Sequence, residues 1–66
     1  MKIILNGEEK LFDDGLSLDA VIQRLGVRRE TVVAEVNRKI VKNEDRPQCR
    51  LQDGDQVELI QFVGGG

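Results

Sequence analysis

The residues best suited to chemistry are the last three, Gly64, Gly65 and Gly66, which follow an apolar run ending in Phe62 and Val63. Three glycines reach about 10 Å from a domain, at roughly 3.3–3.6 Å per residue, and without Cβ atoms they fit a channel too narrow for other residues. The carboxylate of Gly66 is ionised at neutral pH and becomes an electrophile only when a partner activates it. We interpret this flexible tail as a substrate arm; the alternative is an inert, frayed terminus.

No other set of residues predicts catalysis. Histidine, the commonest general base and metal ligand, is absent, and no nucleophile stands beside a base. Cys49 has only Arg50 to lower the pKa of its thiol, so a partly buried structural thiol is favoured over a nucleophile or sulfur acceptor. The Asp-Gly-Asp segment at 53–55 is favoured as a tight turn over a calcium site, because a longer ladder of oxygen ligands is missing. We expect no enzyme active site, no metal and no bound cofactor.

The composition narrows the class of partner. A formal net charge of −2 and only two aromatic residues argue against nucleic acid, which needs a basic surface and stacking platforms. No apolar run approaches the roughly 18 residues of a membrane span, and the single cysteine fits a reducing cytoplasm. A cluster of cations in the third quarter of the chain is favoured as a solvated surface over a site that orients a charged partner. Its members are Arg38, Lys39, Lys42, Arg46 and Arg50.

The first half of the chain predicts a hairpin and a helix. Asn6-Gly7 favours a type I′ turn between two short strands. The inward-facing residues are expected to be Ile3 and Leu5 on the first strand, and Leu11 or Phe12 on the second. Ser17 is a good N-cap for the helix that follows, and Gly26 stands at its C-terminal end. An apolar stripe at helical spacing lies between them: Leu18, Val21, Ile22 and Leu25.

The second half predicts three more strands. The segment 31–37 alternates as a strand, a short strand follows at 40–41, and the polar segment 43–50 predicts a surface turn or a single helical turn. The last strand runs from 56 to 63. If its Val57 and Leu59 face the helix, period-two alternation places Ile60 and Phe62 on the opposite face. Those two residues then form a docking patch, which we favour, or belong to a strand buried on both faces.

One helix over one face of a mixed sheet is the economical arrangement for a single domain of residues 1–66. The last strand is long and follows every other element, so it is expected to pair beside the first strand. We therefore predict an α+β fold with the β-grasp arrangement, followed by the flexible glycine tail.

A β-grasp chain of this length, with Asp-Gly-Asp at 53–55 and Phe-Val-Gly-Gly-Gly at 62–66, resembles the ThiS family over its whole length. These are sulfur carriers of thiamin biosynthesis, related to the molybdopterin-synthase small subunit and to ubiquitin. The resemblance implies that an E1-like enzyme of the ThiF type uses ATP to adenylate the carboxylate of Gly66. Sulfur from a cysteine-desulfurase persulfide then displaces AMP, and the C-terminal thiocarboxylate donates it to a thiazole synthase of the ThiG type.

In this ubiquitin-like scheme the tail residues Gly65 and Gly66 are reactive, and the partner-docking residues are Ile60, Phe62, Val63 and Gly64. Three alternatives remain open. The chain is a related carrier for molybdopterin, tRNA thiolation or cysteine synthesis; a modifier whose Gly66 forms isopeptide bonds with lysines; or a β-grasp interaction domain whose glycines are inert.

Overall fold

The computed structural model describes residues 1–61, so the expectations for Phe62, Val63 and the three glycines lie outside the described residues. Within 1–61 the elements are β1 (Lys2–Leu5), β2 (Glu8–Leu11), α1 (Leu18–Arg24), β3 (Val32–Val36), β4 (Lys39–Val41) and β5 (Gln56–Gln61). The strands form one sheet in the order β2-β1-β5-β3-β4, in which β5 runs parallel to β1 and antiparallel to β3. The predicted α+β β-grasp arrangement is confirmed.

The opening hairpin turns at Asn6 (φ 48°) and Gly7 (φ 83°), both with the positive φ that a type I′ turn requires. Its register pairs Leu11 with Lys2, which places Leu11 on the open face of the sheet, where it is 83% exposed. Of the two candidates for the inward position on the second strand, Leu11 is therefore excluded. Phe12, the next residue, packs against the core instead.

Helix α1 begins as its sequence predicts, because the Ser17 hydroxyl accepts a hydrogen bond from the Ala20 amide at 3.1 Å. It ends at Arg24, and Gly26, two residues further on, has the positive φ of 73° that suits the left-handed residue after a helix C-cap. The apolar stripe of α1 packs on the inward residues of the sheet. The buried core consists of Ile3, Leu5, Leu18, Val21, Ile22, Ala34, Leu51 and Val57.

The polar segment between β4 and β5 forms a 3₁₀ helix, Asn43–Gln48, and a shorter one, Arg29–Thr31, precedes β3. Arg46 on the longer segment is 2% exposed, which corrects its assignment to a solvated surface. Its guanidinium donates hydrogen bonds to the main-chain oxygens of Arg29 and Val32. Interior carbonyls need donors, and Arg46 supplies them. The other four cations of the cluster are exposed.

The turn before β5 is also as predicted. Gly54 has a φ of 90°, the Asp53 carboxylate accepts from the Lys2 amide at 2.7 Å, and the Asp55 carboxylate accepts from the Gln52 amide at 2.8 Å. Both carboxylates therefore act as turn acceptors, and residues 1–61 contain no cluster with the composition of a metal site. Within the same range, no helix has the length and apolar character needed to cross a membrane.

Candidate functional site

The central strand β5 leads directly into the tail, so its attachment to the sheet decides where the tail leaves the domain. On one side β5 pairs with β3 along its whole length, from Val57 opposite Val36 to Gln61 opposite Val32. On the other side the parallel pairing with β1 is short. It covers the pairs Ile4–Gln56 and Leu5–Val57, and at its two ends the Ile4 amide donates to the Asp55 oxygen and the Asn6 amide to the Val57 oxygen, each at 2.9 Å.

Ile60 lies on the open face of the sheet, opposite the helix, and is 51% exposed. Its partner across the sheet is Val33, and the next strand contributes Ile40, which is 68% exposed and pairs with Glu35. We call Val33, Ile40 and Ile60 the open-face patch. The structure thus separates Ile60 from Val57, which is fully buried on the helix side.

Two carboxylates adjoin this patch. Glu35 on β3 stands directly opposite Glu58 on β5, and like charges in that position repel each other. Neither carboxylate makes an ion pair with any side chain in residues 1–61. The open face therefore presents apolar side chains beside uncompensated negative charge, which is complementary to a partner surface that is apolar and basic.

A groove of about 310 Å³ lies on the other side of the sheet, beside the end of β5. Five of its eight lining residues are aliphatic and three are polar. The lining residues are Leu5, Asn6, Lys10, Leu25, Val27, Val32, Leu59 and Gln61. None of these is a thiol, carboxylate or imidazole, and the amine of Lys10 is the one ionisable group among these lining residues, so the described lining holds no acid–base pair.

Cys49 is half-buried and packs against the edge of the core. Burial, with a smaller contribution from the negative charge of Asp55, raises the pKa of its thiol above the ordinary value. A raised pKa lowers the thiolate fraction at neutral pH and makes the sulfur a poor nucleophile. The environment of Cys49 agrees with the expected structural thiol.

One hydrogen bond near the end of β5 was not predicted from the sequence. The side-chain oxygen of Asn6 accepts a hydrogen bond from the main-chain amide of Leu59 at 2.8 Å. Asn6-Gly7 carries a strong turn signal, but nothing local to the pair indicates that Asn6 also binds a strand 53 positions away. Only the parallel pairing of β1 with β5 brings the two together.

Comparison with known proteins gives one consistent result. The sequence profile described as the ThiS family matches residues 3–66. The sulfur carrier protein ThiS of Escherichia coli is 30% identical over 66 residues, covering all of both chains. A crystal structure of the thiamine biosynthesis protein ThiS from Geobacter metallireducens superposes with a TM-score of 0.87 at 30% identity, again over both entire chains.

Longer proteins match as well. A thiazole synthase of Paramagnetospirillum magneticum is 38% identical over 66 residues, which is all of this chain but 20% of that protein. A thiazole synthase of Magnetococcus marinus matches with the same identity and coverage. The chain thus spans about a fifth of the length of these two curated relatives.

Proposed function

Because the chain belongs to the ThiS family, we propose that it is a sulfur carrier for thiamin biosynthesis, with sulfur borne on the C-terminal carbonyl of Gly66. The single observation that carries this proposal is the match over the entire length of a sulfur carrier protein, up to and including the terminal glycines. The side chains of residues 1–61 add support, since they include no constellation for catalysis. The chain acts as a substrate rather than as an enzyme.

The proposed chemistry takes place on the tail. An oxygen of the Gly66 carboxylate attacks the α-phosphorus of ATP in an E1-like enzyme of the ThiF type, and pyrophosphate leaves. The outer sulfur of a persulfide derived from a cysteine desulfurase then attacks the acyl carbon and displaces AMP, which gives an acyl disulfide. A thiol reduces that S–S bond, which releases the thiocarboxylate and leaves a disulfide on the donor side. Gly65 and Gly66 have no side chains to obstruct either attack. No cofactor is bound by the carrier itself.

We assign docking to the open-face patch together with Phe62, Val63 and Gly64. Ile60 is the described residue nearest to the tail on this face, and its half-exposed side chain offers an apolar contact. The Glu35–Glu58 pair beside it favours a partner that presents arginine or lysine next to an apolar surface. Docking there places the end of β5, and hence the tail, at the partner's active site.

The proposed acceptor of the sulfur is a thiazole synthase of the ThiG type. Two proteins named thiazole synthase contain a segment similar to this entire chain, and joining carrier and synthase in one polypeptide raises the effective concentration of one for the other. We place the protein in the cytoplasm, where its free thiol at Cys49 stays reduced.

The test is intact mass after incubation with ATP, hydrosulfide and a candidate ThiF-type enzyme. We expect a gain equal to the exchange of one oxygen for sulfur, and we expect no gain in a variant lacking Gly66. The matched control is Cys49→Ala, which removes the other candidate sulfur-bearing atom and should gain the same mass as the wild type. If Cys49→Ala showed no gain in mass, the sulfur would be carried by the thiol of Cys49 and not by Gly66.

The activating enzyme must be shown to be active on a known ThiS substrate in the same experiment. An unchanged mass of this chain alongside that active enzyme would refute the assignment. Isopeptide-linked conjugates of the chain with other proteins in cell extracts would instead establish a modifier.

A further inference from the structure

The Asn6 side chain makes a hydrogen bond to β5 just beyond the end of β1. β1 stops at Leu5 and its main chain turns away at Asn6, so the last four residues of β5, 58–61, have no paired residue of β1 beside them. Leu59 is the next donor on that edge after Val57, and the oxygen of the Asn6 amide takes the place of the missing strand carbonyl. Asn6 thus holds the last described attachment of β5 on its β1 side.

A second asparagine makes an equivalent hydrogen bond at the start of β5. Asn37 also stands in a hairpin turn with a positive φ, 51° against 48° for Asn6, and its side-chain oxygen accepts from the Gln56 amide at 3.0 Å. The two asparagines are therefore alike in conformation and in the type of bond that they make. They differ in position, since Asn37 binds the end of β5 remote from the tail.

We propose that Asn6 is a positioning residue for the sulfur-carrying tail: its bond to Leu59 fixes the direction in which the chain leaves the sheet. This inference rests on the proposed function, because the direction of the tail matters only if the tail enters a partner's active site. Without the bond, β3 alone holds the end of β5, and the partner must order that segment on binding. Such a cost falls equally on the bound ground state and the transition state, so it raises KM rather than lowering kcat.

The first experiment measures amide hydrogen exchange in the free protein. Asn6→Gly removes the acceptor but keeps a residue that tolerates positive φ, so the turn itself is preserved. We expect exchange at the Leu59 amide to accelerate at least threefold in this variant and to stay unchanged in Asn37→Gly, where exchange at Gln56 accelerates instead. Unchanged exchange at Leu59 in Asn6→Gly would overturn the inference without reference to function.

The second experiment follows thiocarboxylate formation by intact mass, with a ThiF-type enzyme, ATP and hydrosulfide, as a function of carrier concentration. In Asn6→Gly we expect KM to rise about three- to tenfold, the factor that corresponds to one net hydrogen bond, with kcat within about twofold of the wild type. Asn6→Asp keeps an acceptor oxygen and tolerates the same φ, so it should restore the wild-type KM.

Asn37→Gly is the matched control for stability. It loses a hydrogen bond of the same kind to the same strand, and also the bond that the Asn37 side chain donates to Asp55 at 3.1 Å, so we expect a fall in melting temperature at least as large but no change in KM. An equal rise of KM in both variants would show that KM reports stability alone and would overturn the positioning role. A wild-type chain that gains no mass would refute the proposed function, while the exchange result would still decide whether Asn6 anchors β5.

Discussion

The substitution Arg46→Met tests how much the hydrogen bonds of Arg46 contribute to the free energy of unfolding. Methionine keeps the length and apolar character of the stem but supplies no donor. The Val32 oxygen lies in a buried contact and the Arg29 oxygen in a partly buried one, so both would lose a charged donor with limited access to water. The substitution therefore removes one buried and one partly buried hydrogen bond, together with the buried charge.

The magnitude follows from these contacts. A buried acceptor without a partner costs about 1–3 kcal/mol, with the lower end appropriate for the partly buried Arg29 oxygen. Part of this cost is offset in Arg46→Met. The wild-type Arg46 has a buried Nε with no acceptor and a charge that must be desolvated, and methionine has neither. We expect a net loss of about 2–3 kcal/mol. A domain of this size has roughly 3–10 kcal/mol of stability in total, so the loss is a large share of it.

The control is Arg50→Met. Arg50 also donates one guanidinium hydrogen bond to a main-chain oxygen, that of Gly15 at 2.8 Å, but this contact is exposed. Water replaces a lost donor there, so we expect a change of no more than about 0.5 kcal/mol. The two variants carry the same substitution, and they differ in burial and in the number of main-chain hydrogen bonds lost, two for Arg46 and one for Arg50.

Urea unfolding followed by far-UV circular dichroism is the suitable assay, because the chain has no tryptophan or tyrosine for fluorescence. The transition midpoint should fall strongly in Arg46→Met and hardly at all in Arg50→Met, with equal slopes in both. A loss in Arg46→Met within about 0.5 kcal/mol of that in Arg50→Met would refute the argument that burial makes the Arg46 contacts valuable.

Two further predictions concern stability. Arg38 has a φ of 71°, a strained value for a residue with a side chain, so Arg38→Gly should stabilise the protein by about 0.5–1 kcal/mol in urea, whereas Lys39→Gly in the adjoining strand should destabilise it. Burial raises the pKa of the Cys49 thiol, because the folded protein favours the neutral form. The stability gained from the neutral thiol is therefore complete below the ordinary pKa of 9.0 and is lost as the pH rises through the folded-state pKa. Unfolding midpoints measured across that range should fall more steeply for the wild type than for Cys49→Ala; parallel curves would contradict the assignment.

Local signals predicted the elements of this fold well. Asn6-Gly7 fixes a turn, and Ser17 and Gly26 bound a helix, because each acts on main-chain groups within a few residues of itself. The orientation of Leu11 could not be predicted from such local signals. Its orientation depends on the register between β1 and β2, and the sequence left Leu11 and Phe12 as equal candidates for the inward position.

Arg46 and the glutamate pair were not predictable for a related reason. A polar segment with a proline is normally solvated, and the burial of Arg46 follows from two carbonyls that lie 14 and 17 positions away. Likewise Glu35 and Glu58 become neighbours only because β5 is inserted between β1 and β3. In contrast, strand alternation alone placed Ile60 on the face opposite Val57, where the structure has it.

The arrangement of β5 separates the stability of the domain from its proposed chemistry. Val57 is fully buried at the start of the strand, whereas Ile60 near its end is half-exposed, so most of the packing energy lies before the last attachment at Leu59. Gly66 follows Leu59 by seven residues in the sequence, a distance of at most about 25 Å if extended. Removal of the terminal glycines should therefore leave unfolding midpoints unchanged while abolishing sulfur loading. Substitutions such as Arg46→Met should lower the unfolding midpoint and still allow sulfur loading as long as the protein stays folded, because the contacts they remove are made to the main-chain oxygens of Arg29 and Val32 and not to residues of β5.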